Sequence, residues 1–121
     1  MAEAQLEATV RLESGTAVMD LRGDITAFAE AALRTAYDQA EAARPKALAL
    51  NFAEVKYINS TGIALIVSLL ARARKDRLPV ISFGLSDHYR EIFEITRLSD
   101  FMQLVPDEAA ALRATQNKEN P

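Results

Sequence analysis

A chain of 121 residues with 14 basic and 17 acidic side chains, a formal net charge of −3 and half its residues apolar can form one domain with a real core, and leaves little room for a second. It has no cysteine, which excludes disulfides, thiolate chemistry and cysteine-based zinc sites and fits a reducing cytosol. The acidic balance argues against nucleic-acid binding, Met1–Gln5 lacks a signal peptide's basic start and apolar run, and the longest apolar run (63–70, broken by Ser68) is too short to span a bilayer, so a cytoplasmic protein without membrane insertion is expected.

Leu6, Ala8, Val10 and Leu12 alternate with Glu7, Thr9, Arg11 and Glu13, the period of a half-buried strand. After the turn signal Ser14-Gly15, Ala17, Met19 and Leu21 alternate with Val18, Asp20 and Arg22, which predicts a hairpin ended by Gly23-Asp24. Helical spacing follows, with Phe28, Ala32, Ala36 and Ala40 on one stripe and Leu33 and Tyr37 beside it, up to Arg44-Pro45. The nearly continuous apolar stretch from Lys46 to Phe52 predicts a strand buried on both faces. A polar segment, Ala53 to Asn59, leads to a second helix with the core stripe Ile63, Ile66, Leu69, Leu70 and Ala73. Val80–Phe83 is a further buried strand closed by Gly84. Ser86-Asp87 caps a third helix carrying Tyr89, Ile92 and Phe93. Phe101–Val105 is a last strand, and Pro106-Asp107 opens a last helix through Ala109 and Leu112.

The expected order is β-β-α-β-α-β-α-β-α. It defines an α/β domain with a mixed, mostly parallel sheet packed with about four helices. The domain is expected to occupy residues 1–114, and the polar residues 115–121 to form a disordered tail.

The junction Tyr57-Ile58-Asn59-Ser60-Thr61-Gly62-Ile63 carries the chemistry. Asn59, Ser60 and Thr61 can each cap a helix. Gly62 lies just inside the helix, where glycine costs about 1 kcal/mol relative to alanine, so a close approach by another backbone is a reason for it. A phosphate on a hydroxyl here would meet the unpaired amides and the positive end of the helix dipole. It would bring about two negative charges to an exposed junction and could repel a partner without refolding the domain. By spacing alone, the same four residues also fit an ordinary helix cap.

The chain resembles the STAS family, named for sulfate transporters and anti-sigma-factor antagonists, from about Leu6 to Leu112. Leu21-Arg22-Gly23-Asp24-Ile25 is similar to the family's Gly-Glu-Leu-Asp stretch after the second strand. Leu48-Ala49-Leu50-Asn51-Phe52 is similar to its hydrophobic strand. The stretch from Val55 to Ala64 resembles its strand, Asp-Ser-Ser/Thr-Gly and helix, and Ile92–Phe101 resembles its third helix and following turn. In antagonists of this family, the serine after the Asp is phosphorylated by an anti-sigma factor that is also a serine kinase with a histidine-kinase-like ATPase domain. The unphosphorylated antagonist binds that kinase and releases the sigma factor, and phosphorylation breaks the complex.

The resemblance implies Ser60 as the phosphorylated residue, with Thr61 as the secondary hydroxyl. It implies Asp24, Asn59, Ser60, Thr61, Gly62, Ala64 and Val67 as the partner-binding surface. Asp24 also fits a turn or cap aspartate, and Ile63 fits the core better than the surface. Asn59 stands where the family typically has Asp; it keeps size and cap geometry and removes a charge. A phosphatase, a homodimer and a larger STAS assembly are further partners the resemblance admits. Two other roles stay open beside transcription regulation: a stressosome-like scaffold, and an accessory subunit of a lipid-transport ATPase.

No enzyme, cofactor or metal site is expected. His88, the only histidine, fits a surface helix position, and no Ser–His–Asp arrangement has support. The glycines at 15, 23, 62 and 84 form no phosphate loop. The run from Arg72 to Arg77 complements the negative end of its helix better than it suits nucleic acid.

Overall fold

The computed structural model describes residues 5–117. Ser14 and Gly15, both at positive φ (54° and 84°), close a two-residue hairpin between β1 (Glu7–Glu13) and β2 (Thr16–Ile25). The remaining elements are α1 (Glu30–Ala42), β3 (Ala47–Ile58), α2 (Ser60–Lys75), β4 (Val80–Phe83), α3 (Asp87–Ile95), β5 (Gln103–Val105) and α4 (Glu108–Asn117). Single 3-10 turns at Ala27–Ala29 and Leu98–Asp100 lead into α1 and follow α3. This is the expected order.

The sheet order is β1-β2-β3-β4-β5, antiparallel between β1 and β2 and parallel thereafter. Crossovers of one hand stepping in one direction put consecutive helices on the same face. The larger core forms there, where Met19, Leu48, Leu50 and Phe52 meet Leu33, Tyr37, Leu70 and Phe93. α4 covers the opposite face, packing Ala111 on Val18, Ala49, Ile81 and Phe83. With both faces covered, the centre of the sheet is largely apolar, and Val18 is fully buried although alternation assigns it to the polar side.

The burial pattern reverses at the end of β1. Leu12 is 53% exposed. Its neighbour Arg11 is held over the α4 face, donating to Asp20 at 2.7 Å and to Glu108 at 2.5 and 2.8 Å. These hydrogen bonds hold both carboxyls below the ordinary carboxylate range. A lowered native value means stability that is present above about pH 4 and is lost as pH falls through the native values. The network is partly solvated, so Arg11→Met should cost only about 1 kcal/mol at neutral pH. It should also flatten the acid limb of a stability curve measured by urea denaturation; an unchanged acid limb would remove this network from the account.

Five further expectations need correction. β2 does not stop at Gly23-Asp24 but runs to Ile25, with irregular register against β3 on either side of that pair. β3 likewise continues through the polar residues 53–58, because β2 stays beside it to pair their backbone groups. Phe28 is not core but 79% exposed. Thr26 caps the 3-10 turn by accepting from Phe28 N–H at 3.4 Å, and α1 starts only at Glu30, which turns its buried stripe to Leu33, Ala36, Tyr37 and Ala40. Phe101 precedes β5 and is 54% exposed. α4 extends to Asn117, so the expected tail is helical through 117; Thr115 is buried and accepts a 2.9 Å bond from the Thr16 hydroxyl. Residues 118–121 of that expected tail lie outside the described residues.

Candidate functional site

β2 and β3 run side by side to their ends, with Asp24 opposite Tyr57 and Ile25 opposite Ile58. There the chain turns into α2. Asn59, in extended conformation, is the N-cap: its side-chain Oδ1 accepts from Gly62 N–H at 2.8 Å and its carbonyl from Ile63 N–H at 2.9 Å. Its own N–H donates to the Ile25 carbonyl at 3.2 Å, which ties the cap to β2. The neutral amide therefore performs the capping that a carboxylate would perform.

Ser60 is the first residue of α2, and it and Thr61 are exposed. First-turn amides have no carbonyl partner within the helix, so a group carried on the Ser60 hydroxyl sits at the positive end of the dipole. Ala64 and Val67 follow Ser60 at one- and two-turn spacing, and both are exposed, Val67 by 46%. Ile63 is half-buried against the core, as expected. Asp24 is half-buried at the strand end.

Gly62 departs from the expected set. It is buried, and a Cβ built on it would lie 1.9 Å from the Ile25 carbonyl oxygen and 2.7 Å from its carbon. Its role is to let α2 approach the end of β2, as its place in the helix suggests, and it presents no side of itself to a partner.

Two exposed aromatic residues that sequence reasoning left out of the candidate surface lie on elements adjoining it. Tyr57 is 48% exposed on the end of β3. Phe28 projects from the 3-10 turn that packs against α2. A signal for Phe28 was present: Ile25-Thr26 reads as a strand end followed by a cap, which delays the helix.

The other candidates keep local roles. His88 is exposed and meets the ring of its neighbour Tyr89 edge-on at 4.8 Å. In the basic run, Arg72 pairs with Asp38 and Glu41 and stacks over Tyr37, while Arg74 lies over Phe101. Among the described residues, no cluster of acidic or histidine side chains is arranged to hold a metal ion, and no helix is long and apolar enough to cross a membrane.

The family model described as "Mlab, STAS domain" matches residues 8–106. The anti-sigma-B factor antagonist of Listeria monocytogenes is 30% identical over 82 residues, which cover 68% of this chain and 72% of that protein. Among solved structures, an anti-sigma factor antagonist from Mycobacterium paratuberculosis superposes with a TM-score of 0.76 at 21% identity, covering 92% of this chain and 94% of the other. The anti-sigma factor antagonist SpoIIAA has been solved in an unphosphorylated form, and the Bacillus cell fate determinant SpoIIAA in a phosphorylated form. The unphosphorylated form gives a TM-score of 0.67 at 15% identity, covering 94% of this chain and 99% of the other. The phosphorylated form gives 0.61 at 19%, covering 88% and 98%. With its five-stranded sheet, its helix order and a family match across most of its length, this chain belongs to the STAS domain family, in the company of that family's anti-sigma factor antagonists.

Proposed function

We propose that this chain is an anti-sigma factor antagonist that binds an anti-sigma factor with a histidine-kinase-like ATPase domain, and that phosphorylation of Ser60 by that partner ends the complex. The observation that carries this reading is the exposed Ser60 hydroxyl at the first position of α2, with exposed Ala64 and Val67 continuing its helix face. Tyr57 and Phe28 are exposed on the adjoining strand end and turn. Apolar side chains around a modifiable hydroxyl suit a partner surface that a phosphate can spoil, because two charges would have to be desolvated there. The names of the relatives point the same way. Asp24, Asn59, Thr61, Ala64 and Val67 complete the proposed contact set, Thr61 being the second hydroxyl.

The test is phosphosite mass spectrometry on the chain isolated from its native cells, at rest and under stress, with copurifying proteins identified in the same sample. Phospho-Ser60 together with a kinase-type anti-sigma factor is the expected result. Recovery with a transport ATPase subunit, or only with other STAS proteins, and with Ser60 unmodified throughout, would replace this reading by the accessory-subunit or scaffold role. A surface prediction accompanies it. Val67→Glu should weaken partner binding at least tenfold by titration calorimetry while leaving the urea midpoint unchanged, since exposed substitutions away from special features usually move stability by less than about 0.5 kcal/mol. Unchanged affinity would take α2's outer face out of the interface.

A further inference from the structure

β3 outruns its neighbour on one side. Its pairing with β4 ends at Asn51 opposite Phe83, whereas its pairing with β2 continues to Ile58. Beyond Asn51, α3 and its leading turn take the place of the missing strand. Gly84, at φ +79°, sits so close to β3 that a Cβ there would lie 2.8 Å from the Ala53 nitrogen. Phe93 meets Phe52 edge-on with ring centroids 5.6 Å apart.

Tyr89 completes this substitution. It is buried, and its hydroxyl bonds both main-chain groups of Ile58: it accepts from the N–H at 2.8 Å and donates to the carbonyl at 3.4 Å. These are the two bonds a neighbouring strand would make. The next residue faces the other way, its N–H on the Ile25 carbonyl. The Ser86 hydroxyl oxygen accepts from Tyr89 N–H at 3.2 Å and so fixes the helical turn that carries the ring.

We propose that Tyr89 is the positioning residue of the Ser60 junction: its hydroxyl replaces the strand that β3 lacks, and holds Ile58, the Asn59 cap and the Ser60 hydroxyl in the conformation presented to the kinase. The kinase in this statement rests on the antagonist reading; the holding of Ile58 does not. Without the hydroxyl, two buried main-chain groups lose their partner, and the end of β3 opens locally before the sheet does.

Tyr89→Phe removes only the hydroxyl. Thr115→Val is the control, since it breaks a buried hydroxyl pair on the α4 face, away from the junction. Amide exchange at Ile58 is expected to quicken at least tenfold in Tyr89→Phe with Leu50 unaffected, and to stay unchanged in Thr115→Val. With the histidine-kinase-like anti-sigma factor recovered from native cells, kcat/KM for Ser60 phosphorylation should fall at least fivefold in Tyr89→Phe and not in the control. Unchanged exchange at Ile58 overturns the proposal, and so does an equal kinetic loss in both variants. If the wild-type chain neither binds nor accepts phosphate from that kinase, the antagonist reading fails instead, and the exchange result still decides whether Tyr89 holds the junction.

Discussion

Replacing Gly62 by alanine is expected to destabilise the domain by about 3 kcal/mol, and by more for valine. Two effects oppose each other. Alanine is the better helix former by about 1 kcal/mol, which favours the variant. Against it stands a Cβ that would lie 1.9 Å from the Ile25 oxygen, a backbone atom that no rotamer change can move aside. Relief requires lifting α2 off the end of β2 by more than an ångström. That lift also strains the bond from Asn59 N–H to the same carbonyl and the cap from Asn59 to Gly62 N–H. Overpacking of this kind typically costs 1–3 kcal/mol before such bonds are counted, so the clash wins. Urea denaturation reads the loss directly, as would a fall in Tm of about 10 °C. A midpoint equal to wild type would mean that the helix and strand do not approach this closely.

The second large effect separates binding from folding. Ser60→Asp should lower affinity for the anti-sigma factor partner at least a hundredfold while leaving the isolated chain as stable as wild type or slightly more stable. A carboxylate at the first position of α2 interacts favourably with the helix dipole, by about 0.3–1 kcal/mol. The same charge, buried against an apolar partner surface, costs several kcal/mol, and each 1.4 kcal/mol is about tenfold in affinity. Ser60→Ala should bind without interruption, because it cannot be modified. Opposite signs in the two measurements are the signature of a switch carried on the surface. A lost affinity accompanied by lost stability would instead point to a damaged helix start, and tight binding by the Asp variant would sink the phosphate switch. Asn59→Asp belongs in the same series. It should retain the cap to Gly62 and hasten phosphorylation if the kinase uses the carboxylate that Asn59 lacks.

Much of the site is legible in the sequence. The α2 stripe of Ile66, Leu69, Leu70 and Ala73 followed from helical spacing, because a helix packed on one side must repeat its apolar residues every turn. Gly62 announced itself as a residue that opposes its own secondary structure, and such a residue has a reason outside it. Ser60 and Asn59 were visible as cap residues at a strand–helix boundary. Phe28 was not placed correctly, because its spacing from Ala32 and Ala36 is helical in sequence but the 3-10 turn rotates it out. The place of Arg11 over α4 was not legible either, because the Glu108 carboxylate that holds it arrives from nearly a hundred residues away.

The sequence by itself determined the order of elements, the helix faces and the position of the hydroxyl, since each follows from local periodicity and cap chemistry over a few residues. Only the tertiary structure decided how far β2 and β3 extend, which face α4 covers and what completes the edge of β3 beside Ile58. Those features depend on backbone groups finding partners across the fold. A main-chain N–H or carbonyl is the same at every residue, so the sequence around Ile58 carries no mark of the Tyr89 hydroxyl that meets it from 31 residues away.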